Sequence, residues 1–424
     1  MGSGDIMAIG YACIHIGSEA TKLSALRLAN ASAERLRAVI RKNLQALLAM
    51  LQYNAEHEIK LFRISSDIIP LASHPAMRVD WRSEFQETLC LIGKYIKDSK
   101  TRVSMHPGQY TVLNSPSAEV VKRAVDELQY HSDFLDALGC DETCKIIVHI
   151  GGVYSDKKQA MERFIACYKT LSERIRARLA IENDDKLYTA GDVYAISSQT
   201  GIPVVFDYLH HILNPSQSDL SPYDWMDVFA RTWTEKDGKQ KIHYSQSDPE
   251  MAVGAHSKSI QAKMFLEFYH GLHDKNIDLM LEVKDKNLSA VKCVLITKEK
   301  PKIQQMEAEW ARYKYLVLSR SAAIYNKIRA LLKRKSSPDA VLFYSYIEEA
   351  LAMDENTGAQ VNAAQHIWGY VRESAGLKEH KRFAALLAVY QQEGKSLKAV
   401  KNLLFRLAKE QHCTYLLESL YFYM

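Results

Sequence analysis

The chain has 424 residues, of which 47% are hydrophobic and 25% charged, and its net charge at neutral pH is +5. This composition is typical of a globular protein, and the length exceeds what one compact core usually takes, so we expect one large domain and a smaller one. No apolar run is long enough to span a bilayer, which argues against a membrane protein, and the mild positive charge permits a polyanionic partner without requiring one.

The first residues, MGSGDIM, have neither the basic nor the apolar segment of a signal peptide, so we expect a cytoplasmic protein. Their Gly/Ser composition predicts that residues 1–6 are an expression remnant and that Met7 is the natural start. The seven cysteines form no CxxC pair, which is typical of reduced thiols in a cytosolic protein.

Eight short apolar segments alternate with amphipathic segments as far as about Val294. They are continuous rather than alternating in hydrophobicity, as expected of strands that are buried on both faces. The predicted strands are Ala8–Ile14, Ile59–Ile64, Arg102–His106, Ile146–Ile150, Leu179–Glu182, Val204–Asp207, Lys241–His243 and Leu279–Val283. The segments between them are long enough for crossover helices, among them Glu34–Gln52, Trp81–Lys97, Ser117–Leu138 and Lys157–Arg176.

Histidines and carboxylates stand where six of these strands end, and two more histidines follow in loops. The nine candidate metal ligands are His74, His106, His149, Glu182, Asp207, His210, His243, His256 and Glu282. In a barrel of parallel strands, the carboxyl ends of all strands meet at one rim, where these side chains would converge.

Eight strands with intervening helices predict an α/β fold, a TIM (β/α)8 barrel. An open doubly wound sheet is the alternative, but it would gather ligands at one switch point and normally begins with a glycine-rich turn. The first turn here, HIGSEA, has no GxGxxG motif. The spread of ligands over six strands also favours the closed barrel.

The number and type of these ligands indicate a particular chemistry. One metal ion usually takes three or four protein side chains, so nine ligands suit two or three ions that share carboxylates. Mixed imidazole and carboxylate ligands favour zinc or manganese over magnesium or calcium. Clustered ions suit hydrolysis of a phosphodiester, in which one activates water and another neutralises charge on the leaving oxygen.

Each ligand taken alone also has a structural interpretation. Asp207 and His210 are three residues apart and could cap a helix, and Glu182 in ENDD could belong to a solvated acidic turn. Independent structural accidents should not all fall at the carboxyl ends of strands. The joint pattern therefore favours a metal site.

Two further positions carry alternative interpretations. Gln109 and Tyr110 follow His106 at a loop tip. A flat polar side chain beside an aromatic ring suits insertion into a disrupted base stack. An ordinary loop without a binding role is an equally good interpretation of these two residues. Lys241 lies two residues before His243 and faces the same side. Buried beside metals it would have to be neutral, paired or modified, whereas a lysine at the solvated end of the strand is the simpler interpretation.

Beyond residue 295 the sequence is helical, so we predict a barrel domain over 7–295 and an all-α domain over 296–424. The predicted helices are Met306–Lys335, Tyr344–Met353, Asn362–Ala375, His380–Gln392 and Leu397–Glu410. Residues 311–335 contain eight Lys or Arg and no acidic residue, with Tyr313, Tyr315 and Tyr325 among them. This segment could follow DNA phosphates, or it could be an ordinary amphipathic helix with a solvated face.

Between about Ile9 and Lys286 the chain resembles the UV damage endonuclease family, relatives of the endonuclease IV type of metal-dependent barrel nuclease. The motifs that carry the resemblance are GYACIH, LFRISSDIIPLASHP, VSMHPGQYTVLNSP, VHIGGVYSDK, IENDD, VVFDYLHH, KIHYS, GAHS and LEVKDK. The resemblance implies a TIM barrel that incises damaged double-stranded DNA immediately 5′ of cyclobutane pyrimidine dimers, 6-4 photoproducts and abasic sites. It implies no nucleotide cofactor and says nothing of protein partners.

The same resemblance assigns roles to individual residues. The nine ligands would hold up to three divalent ions, with manganese as the working ion and zinc as the second candidate. Glu182, Glu282 and Lys241 would be catalytic, and Lys241 matches a lysine that the family can carry in carboxylated form. Gln109 and Tyr110 match residues that probe the lesion, and Tyr11 matches a tyrosine of the damage pocket.

Two parts of the chain depart from that pattern. His15 stands where the family often has asparagine, so a polar contact to the lesion is not carried over to it. The C-terminal motifs KYLVLSRSAAIYNKI, NAAQHIWGYV and GKSLKAVKNLLFRLAKEQHCTYLLESLY resemble instead a bacterial helical domain of unknown function. The alternatives for the barrel are an abasic-site endonuclease without photoproduct activity and a xylose-isomerase-like sugar isomerase, which needs fewer ligands and no Gln-Tyr pair.

Overall fold

The computed structural model describes residues 7–248, 250–335, 339–393 and 397–424, and the expectations for residues 1–6 lie outside these ranges. The described residues form two compact units. The first comprises the residues up to His15, Ala20–Ile260 and Phe268–Val294, and the second comprises Ile16–Glu19, Gln261–Glu267 and Leu295–Met424. No helix in the described part of the chain is long and apolar enough to cross a membrane.

Eight parallel strands of the first unit close into a barrel in the order β1 to β8, with β8 paired to β1. They are β1 Ala8–Ala12, β2 Leu61–Ile64, β3 Arg102–Met105, β4 Ile146–Val148, β5 Leu179–Glu182, β6 Val204–Asp207, β7 Lys241–Tyr244 and β8 Asp278–Leu281. The predicted TIM barrel is therefore confirmed. Strands β3 and β4 end one residue before His106 and His149, so these two ligands lie at the start of loops.

The strands are apolar and continuous because both of their faces are buried. Every residue of β2, β5, β6, β7 and β8 is buried. Gly10 of β1 meets the tightest contact in the barrel wall, because a Cβ atom there would lie 2.0 Å from the carbonyl oxygen of Leu61 on β2. Glycine at this position thus permits the two strands to pair.

Helices follow the strands along the chain. They are α1 Ala33–Glu56, α2 Trp81–Glu84, α3 Gln86–Asp98, α4 Ala118–Ala137, α5 Lys157–Thr170, α6 Glu173–Arg178, α7 Ala190–Thr200, α8 Tyr208–Leu213, α9 Pro222–Ala230, α10 Ala262–Gly271 and α11 Asn287–Ile296. Short 3₁₀ turns occupy Leu28–Asn30, Ser66–Ile68 and Glu235–Asp237. Two predicted helices are each divided in two, Trp81–Lys97 at Phe85 and Lys157–Arg176 at Leu171 and Ser172. Ser172 has extended backbone and accepts a hydrogen bond from the amide of Ile175, so a new helix starts there.

The second unit is helical, as predicted. Its helices are α12 Ile303–Leu318, α13 Ala322–Leu332, α14 Ala340–Ala352, α15 Thr357–Val371, α16 Leu377–Glu393, α17 Lys398–Glu410 and α18 Thr414–Leu417, with a 3₁₀ turn at Leu420–Phe422. The prediction of one helix over Met306–Lys335 is wrong. Ser321 has extended backbone and caps α13 through the amide of Ile324, which breaks the segment after α12.

Some cations of the basic segment over residues 311–335 have acidic partners, whereas Arg329, Lys333, Arg334 and Lys335 are exposed. Arg312 is buried and donates to Glu309 at 3.0 Å, and Lys327 lies 3.4 Å from Glu349. Tyr313 and Tyr315 are buried. These ion pairs are typical of an ordinary amphipathic helix, and the exposed cations remain candidates for phosphate contacts.

Candidate metal centre

The carboxyl ends of the strands carry the candidate ligands to one rim of the barrel. Glu182 and Asp207 are the last residues of β5 and β6, and Glu282 follows β8 directly. Asp207 stands opposite His243 in the β6–β7 pairing, so these two side chains are neighbours across the sheet. The rim therefore brings together residues as far apart in the chain as His106 and Glu282.

Glu182 lies at the middle of three imidazole rings. Its Oε1 is 2.7 Å from Nε2 of His106 and 2.9 Å from Nε2 of His149. Its Oε2 is 2.6 Å from Nδ1 of His243. The side chain is only 2% exposed. One buried carboxylate thus faces three nitrogen ligands from three different strands.

Further contacts extend the cluster around the rim. His243 Nδ1 is 3.9 Å from Asp207 Oδ2 and 3.5 Å from Glu282 Oε1. His210 Nδ1 is 3.7 Å from Asp207 Oδ2, and His256 Nε2 is 3.9 Å from Glu282 Oε2. Eight of the nine predicted ligands are linked in this way.

His74 is the ninth predicted ligand, and the structure does not join it to the cluster. Its side chain is exposed in the loop after β2, where Nδ1 accepts a hydrogen bond from the amide of Ala76 at 3.0 Å. Among the described residues, no ion pair connects it with the central carboxylates. Its assignment as a ligand therefore has no support from side-chain contacts.

The donor set fits divalent metal ions. His106, His149 and Glu182 offer ligand atoms that lie within 4.8 Å of one another, and so do Glu182, Asp207 and His243. Among the described residues, no hydrogen bond satisfies the buried atoms Glu182 Oε2, Asp207 Oδ2 and His243 Nδ1. Buried polar atoms that face one another without hydrogen bonds are costly unless a cation lies between them. Ions with ligand distances of about 2.0–2.2 Å would satisfy them.

Backbone carbonyls fix the orientation of two of the rings. Nδ1 of His106 lies 3.0 Å from the carbonyl oxygen of Pro107, and Nδ1 of His210 lies 3.0 Å from that of Asn183. With the ring proton on Nδ1, each Nε2 is left as the metal-facing nitrogen, a common arrangement for metal-binding histidines.

Asp207 serves both as a helix cap and as a candidate ligand. Its Oδ1 accepts a hydrogen bond from the amide of His210 at 2.8 Å, which caps α8, and Oδ2 faces the cluster. The side chain of Asn183 bonds the backbone of Asp207 twice, at 2.9 and 3.0 Å. Asn183 was not predicted, although its place next to Glu182 in ENDD was a signal.

The electrostatic environment shifts the pKa values of the candidate ligands in different directions. Burial alone would lower the pKa of His149, but the adjacent carboxylate of Glu182 outweighs it and raises that pKa to about 9. Burial raises the pKa of Asp207 to about 6. The pKa of Glu182 is held well below its usual range because, despite burial, three histidines surround it. A metal ion bound here at neutral pH must displace a proton from His149.

Lys241 is fully buried, so its interpretation as a lysine at a solvated strand end is wrong. It stands opposite Asp278 in the β7–β8 pairing, and its Nζ has no hydrogen-bond partner among the described residues. Burial lowers the pKa of the amine well below its usual value. The charged side chains that act on this buried amine include Arg102, Asp278 and Arg63.

Arg63 is a second charged residue inside the barrel, and it was not predicted. Its Nη2 lies 3.0 Å from His243 Nε2 and 2.5 Å from Glu282 Oε1. The sequence signal was an arginine within the apolar strand LFRI, since a charge in a strand buried on both faces needs a partner.

The residues predicted to contact a lesion fall in two environments. Gln109 and Tyr110 lie at the exposed tip of the loop after β3, and Tyr110 is 84% exposed. Tyr11 is fully buried on β1, with its ring 5.1 Å from that of Phe62. His15 is buried as well, and its Nδ1 lies 2.9 Å from the hydroxyl of Thr21. A nucleotide could reach Tyr11 only if covering residues moved.

A third group of metal-type side chains lies apart from the rim. Asp224 and Asp227 on α9 and His273 after α10 have ligand atoms within 4.8 Å of one another. Asp224 caps α9 through Ser221, and His273 forms an exposed ion pair with Asp227 at 2.7 Å. The helix cap and the ion pair explain why these three side chains lie together at the surface without a metal ion.

Comparison with known proteins identifies a matching family for each of the two parts of the chain. The family model described as UV-endonuclease UvdE matches residues 9–314, and that described as Protein of unknown function (DUF1722) matches residues 314–424. The second match confirms the predicted relationship of the C-terminal helices.

Individual relatives point the same way. The UV DNA damage endonuclease of Clostridium perfringens (strain 13 / Type A) is 41% identical over 352 residues, which cover 81% of this chain and 83% of that protein. The one from Bacillus cereus (strain B4264) is 36% identical over 258 residues, or 60% and 81% of the two chains. The crystal structure of SacUVDE superimposes with a TM-score of 0.64 and 40% identity, covering 68% of this chain and 96% of that one. The chain therefore belongs to the UV-endonuclease UvdE family and is a TIM-barrel DNA endonuclease.

Proposed function

We propose that this endonuclease starts DNA repair by hydrolysing the backbone immediately 5′ of cyclobutane pyrimidine dimers, 6-4 photoproducts and abasic sites in double-stranded DNA. The observation that carries the proposal is the buried carboxylate of Glu182, which faces His106, His149 and His243 at 2.6 to 2.9 Å. A carboxylate surrounded in this way by imidazoles is suited to bridging metal ions on the rim of a barrel.

The proposed cofactor is a cluster of up to three divalent ions, which when bound activates water and neutralises charge on the phosphate. His106, His149 and Glu182 would hold one ion, and Glu182, Asp207 and His243 a second, with His210 and His256 beside them. Glu282 and the loop residue His74 complete the proposed set. Mixed nitrogen and oxygen donors support manganese as the working ion, with zinc as the second choice.

We also propose that Lys241 is carboxylated and acts with Glu182 and Glu282 in catalysis. Support comes from its complete burial and from the lack of a hydrogen-bond partner for Nζ among the described residues. Equilibration with ¹³C-bicarbonate should give a carbamate signal in the ¹³C NMR spectrum that is missing from a Lys241→Met variant. An identical spectrum for both proteins would exclude the modification.

The proposed lesion-binding residues are Gln109, Tyr110 and Tyr11. The exposure of Gln109 and Tyr110 at a loop tip supports their insertion beside a disrupted base pair, which is how proteins read damaged steps. Tyr11 is proposed as a wall of the same pocket, and this role requires the residues that cover it to move.

The domain boundary and the cellular location are proposals of the same kind. We place the barrel domain at 7–295 and the helical domain at 296–424, with a cytoplasmic location supported by the free state of all seven cysteines. The contacts described within the second unit assign no role to the helical domain.

A nicking assay tests the proposed function. Duplex oligonucleotides carry a single thymine dimer, a 6-4 photoproduct, an abasic site or no lesion, and each is incubated with enzyme and Mn²⁺ or with a chelator. We expect a cut 5′ of each lesion that the chelator abolishes and no cut in undamaged DNA. Cleavage of the abasic duplex alone would establish the narrower endonuclease, and turnover of a ketose without any DNA cleavage would establish the isomerase.

A further inference from the structure

Arg63 lies inside the barrel and contacts candidate ligands from two other strands. It stands on β2, paired with Ala12 on β1 and with Ser104 on β3, and is only 7% exposed. From there its guanidinium reaches across the lumen to His243 on β7 and to Glu282 after β8. Burial of an unpaired guanidinium would cost several kcal/mol, so these contacts must offset a large penalty.

Both contacts of Arg63 come from its Nη2 atom, and each reaches one polar atom of a candidate ligand. Glu282 accepts from Arg63 through Oε1 at 2.5 Å, while its Oε2 lies toward Nε2 of His256 at 3.9 Å. His243 meets Arg63 through Nε2 at 3.0 Å, while its Nδ1 lies 2.6 Å from Oε2 of Glu182. The guanidinium thus fixes one oxygen of Glu282. Because it can only donate, Nε2 of a neutral His243 ring accepts from it and the ring proton lies on Nδ1.

We propose that Arg63 is a positioning residue of the metal centre, which fixes the carboxylate of Glu282 by holding Oε1 and so directs Oε2 toward His256. The inference rests on the proposed metal cluster. A guanidinium suits this task because it is planar and its Nη2 donates to both acceptors in fixed directions, whereas an ammonium is a point charge on a flexible stem. Glu282 would accordingly offer a single fixed oxygen to an ion rather than a mobile carboxylate.

A structural role for Arg63 makes a different prediction, and the barrel provides a matched control. Arg102 on β3 is also largely buried, and it donates to Oδ2 of Asp278 at 2.7 Å. Its other partners are the carbonyl oxygens of Thr143, Lys239 and Asp237, and among the described residues it has no hydrogen bond or ion pair with a candidate metal ligand. Because Arg102→Lys keeps the positive charge near Lys241, it should lower stability without changing metal affinity.

The test compares Arg63→Lys and Arg102→Lys in the full-length chain. Three quantities are measured: the Mn²⁺ dissociation constant by calorimetry, the absorption spectrum of the Co²⁺-loaded protein, and the unfolding temperature after chelation. We expect Arg63→Lys to bind Mn²⁺ about 10- to 100-fold more weakly and to show an altered Co²⁺ spectrum, as removal of outer-shell partners does at metal sites. Arg102→Lys should lower only the unfolding temperature.

The possible outcomes separate this proposal from the proposed function. Wild-type affinity and an unchanged spectrum in Arg63→Lys overturn the positioning role, and so does an equal loss of affinity in both variants. If Arg63→Lys does not fold, Arg63→Gln is judged by the same criteria. Failure of the wild-type protein to bind Mn²⁺ or Co²⁺ would instead reject the metal cluster itself.

Discussion

Glu182 contacts more candidate ligands than any other carboxylate of the described rim, so its replacement should have the largest effect on catalysis. In Glu182→Ala we expect incision to fall about 100-fold or more, because the effect of a direct ligand should exceed the 10- to 100-fold typical of outer-shell partners. Binding of dimer-containing DNA should remain nearly unchanged, since the exposed Gln109 and Tyr110 are untouched. Glu282→Ala should behave in the same way.

The measurement for these ligands is a single-turnover nicking rate beside a binding isotherm in a chelator. Glu119→Gln, an exposed change on α4, is the control for the loss of a surface carboxylate. A wild-type rate in Glu182→Ala would contradict the ligand assignment at that residue.

Tyr110 should contribute to lesion binding and not to stability, because its side chain is 84% exposed. Removal of an aromatic ring that stacks on a base costs about 1–3 kcal/mol, so Tyr110→Ala should weaken binding of damaged duplex by roughly 5- to 150-fold. Affinity for Mn²⁺ should not change. Tyr194→Ala, at an exposed tyrosine on α7, is the matched control in the same isotherms, and equal losses in both variants would argue against a specific wedge.

The protonation of His149 predicts how metal affinity depends on pH. Because the His149 pKa is about 9, this ring carries a proton at neutral pH when no metal is present, and binding must release it. Affinity should therefore rise by about tenfold per pH unit between pH 6.5 and pH 9 if one proton is displaced. Calorimetry at pH 7 in two buffers of different ionisation enthalpy measures that proton, and identical heats in both buffers would contradict the prediction.

The raised pKa of His149 also affects folding stability, which should fall as the pH rises. The folded-state pKa of His149 lies above the value of 6.5 for an unperturbed histidine, so its contribution to stability is fully present below pH 6.5. It is lost as the pH rises from 6.5 to 9, because the folded protein then releases the extra proton. The chelated protein should become less stable over the range in which it binds metal more tightly.

At the scale of elements, closure of the barrel depends on how near β1 approaches β2. Gly10→Ala would place a Cβ atom 2.0 Å from the carbonyl oxygen of Leu61, so the strands must separate. Overpacking of this kind typically costs about 1–3 kcal/mol, and contact with rigid backbone should put the cost at the upper end. Chemical denaturation measures the change. Gly108→Ala has no atom within 4 Å of the new Cβ and should be nearly neutral, and a similar loss in both variants would contradict this explanation.

The sequence-based helix boundaries were wrong where a capping residue interrupts a predicted helix. The predicted helix Met306–Lys335 ends early because Ser321 adopts extended backbone and caps the next helix. Hydrophobic spacing alone could not reveal this break, because both halves have the same apolar period. Asp207 and His210 were open to two interpretations, helix cap or ligand, and the structure satisfies the cap with Oδ1 while Oδ2 faces the rim.

At the scale of the whole molecule, positive charge is concentrated in the C-terminal part of the sequence. Residues 295–424 contain 20 Lys or Arg and 13 Asp or Glu, whereas residues 1–294 contain 35 and 37. Such an asymmetry attracts DNA at long range even without specific phosphate contacts, and salt screens the attraction. Arg312 and Lys327 have acidic partners within this part of the chain, so we expect its cations not to follow the DNA backbone.

Neutralising exposed cations at the end of α13 tests that conclusion. Substitution of Lys333, Arg334 and Lys335 by Gln should leave the salt dependence of DNA affinity almost unchanged. A slope of log affinity against log salt that is smaller by about three would mean that these residues do contact phosphates, because each lost phosphate contact lowers it by roughly 0.9. Lys378, Lys381 and Arg382, also exposed, form the matched control triple.

The sequence by itself determined the barrel, the family and most of the histidines and carboxylates that converge at its rim. Strand identity follows from local apolar runs, and the carboxyl ends of parallel strands must share one rim, so the convergence of Glu182, Asp207, His243 and Glu282 could be predicted without coordinates. The family resemblance supplied the DNA substrate, which no ligand spacing could give.

Only the tertiary structure decided the environments of the remaining residues. Lys241 and Tyr11 are fully buried, and Arg63 reaches His243 and Glu282, because strands distant in sequence close over them. Burial and side-chain contact depend on every neighbouring strand at once, whereas sequence periodicity reports only which face of its own strand a residue occupies. For the same reason the strand ends predicted which ligands converge. Only the folded barrel showed that Arg63, which was not predicted, contacts two of them.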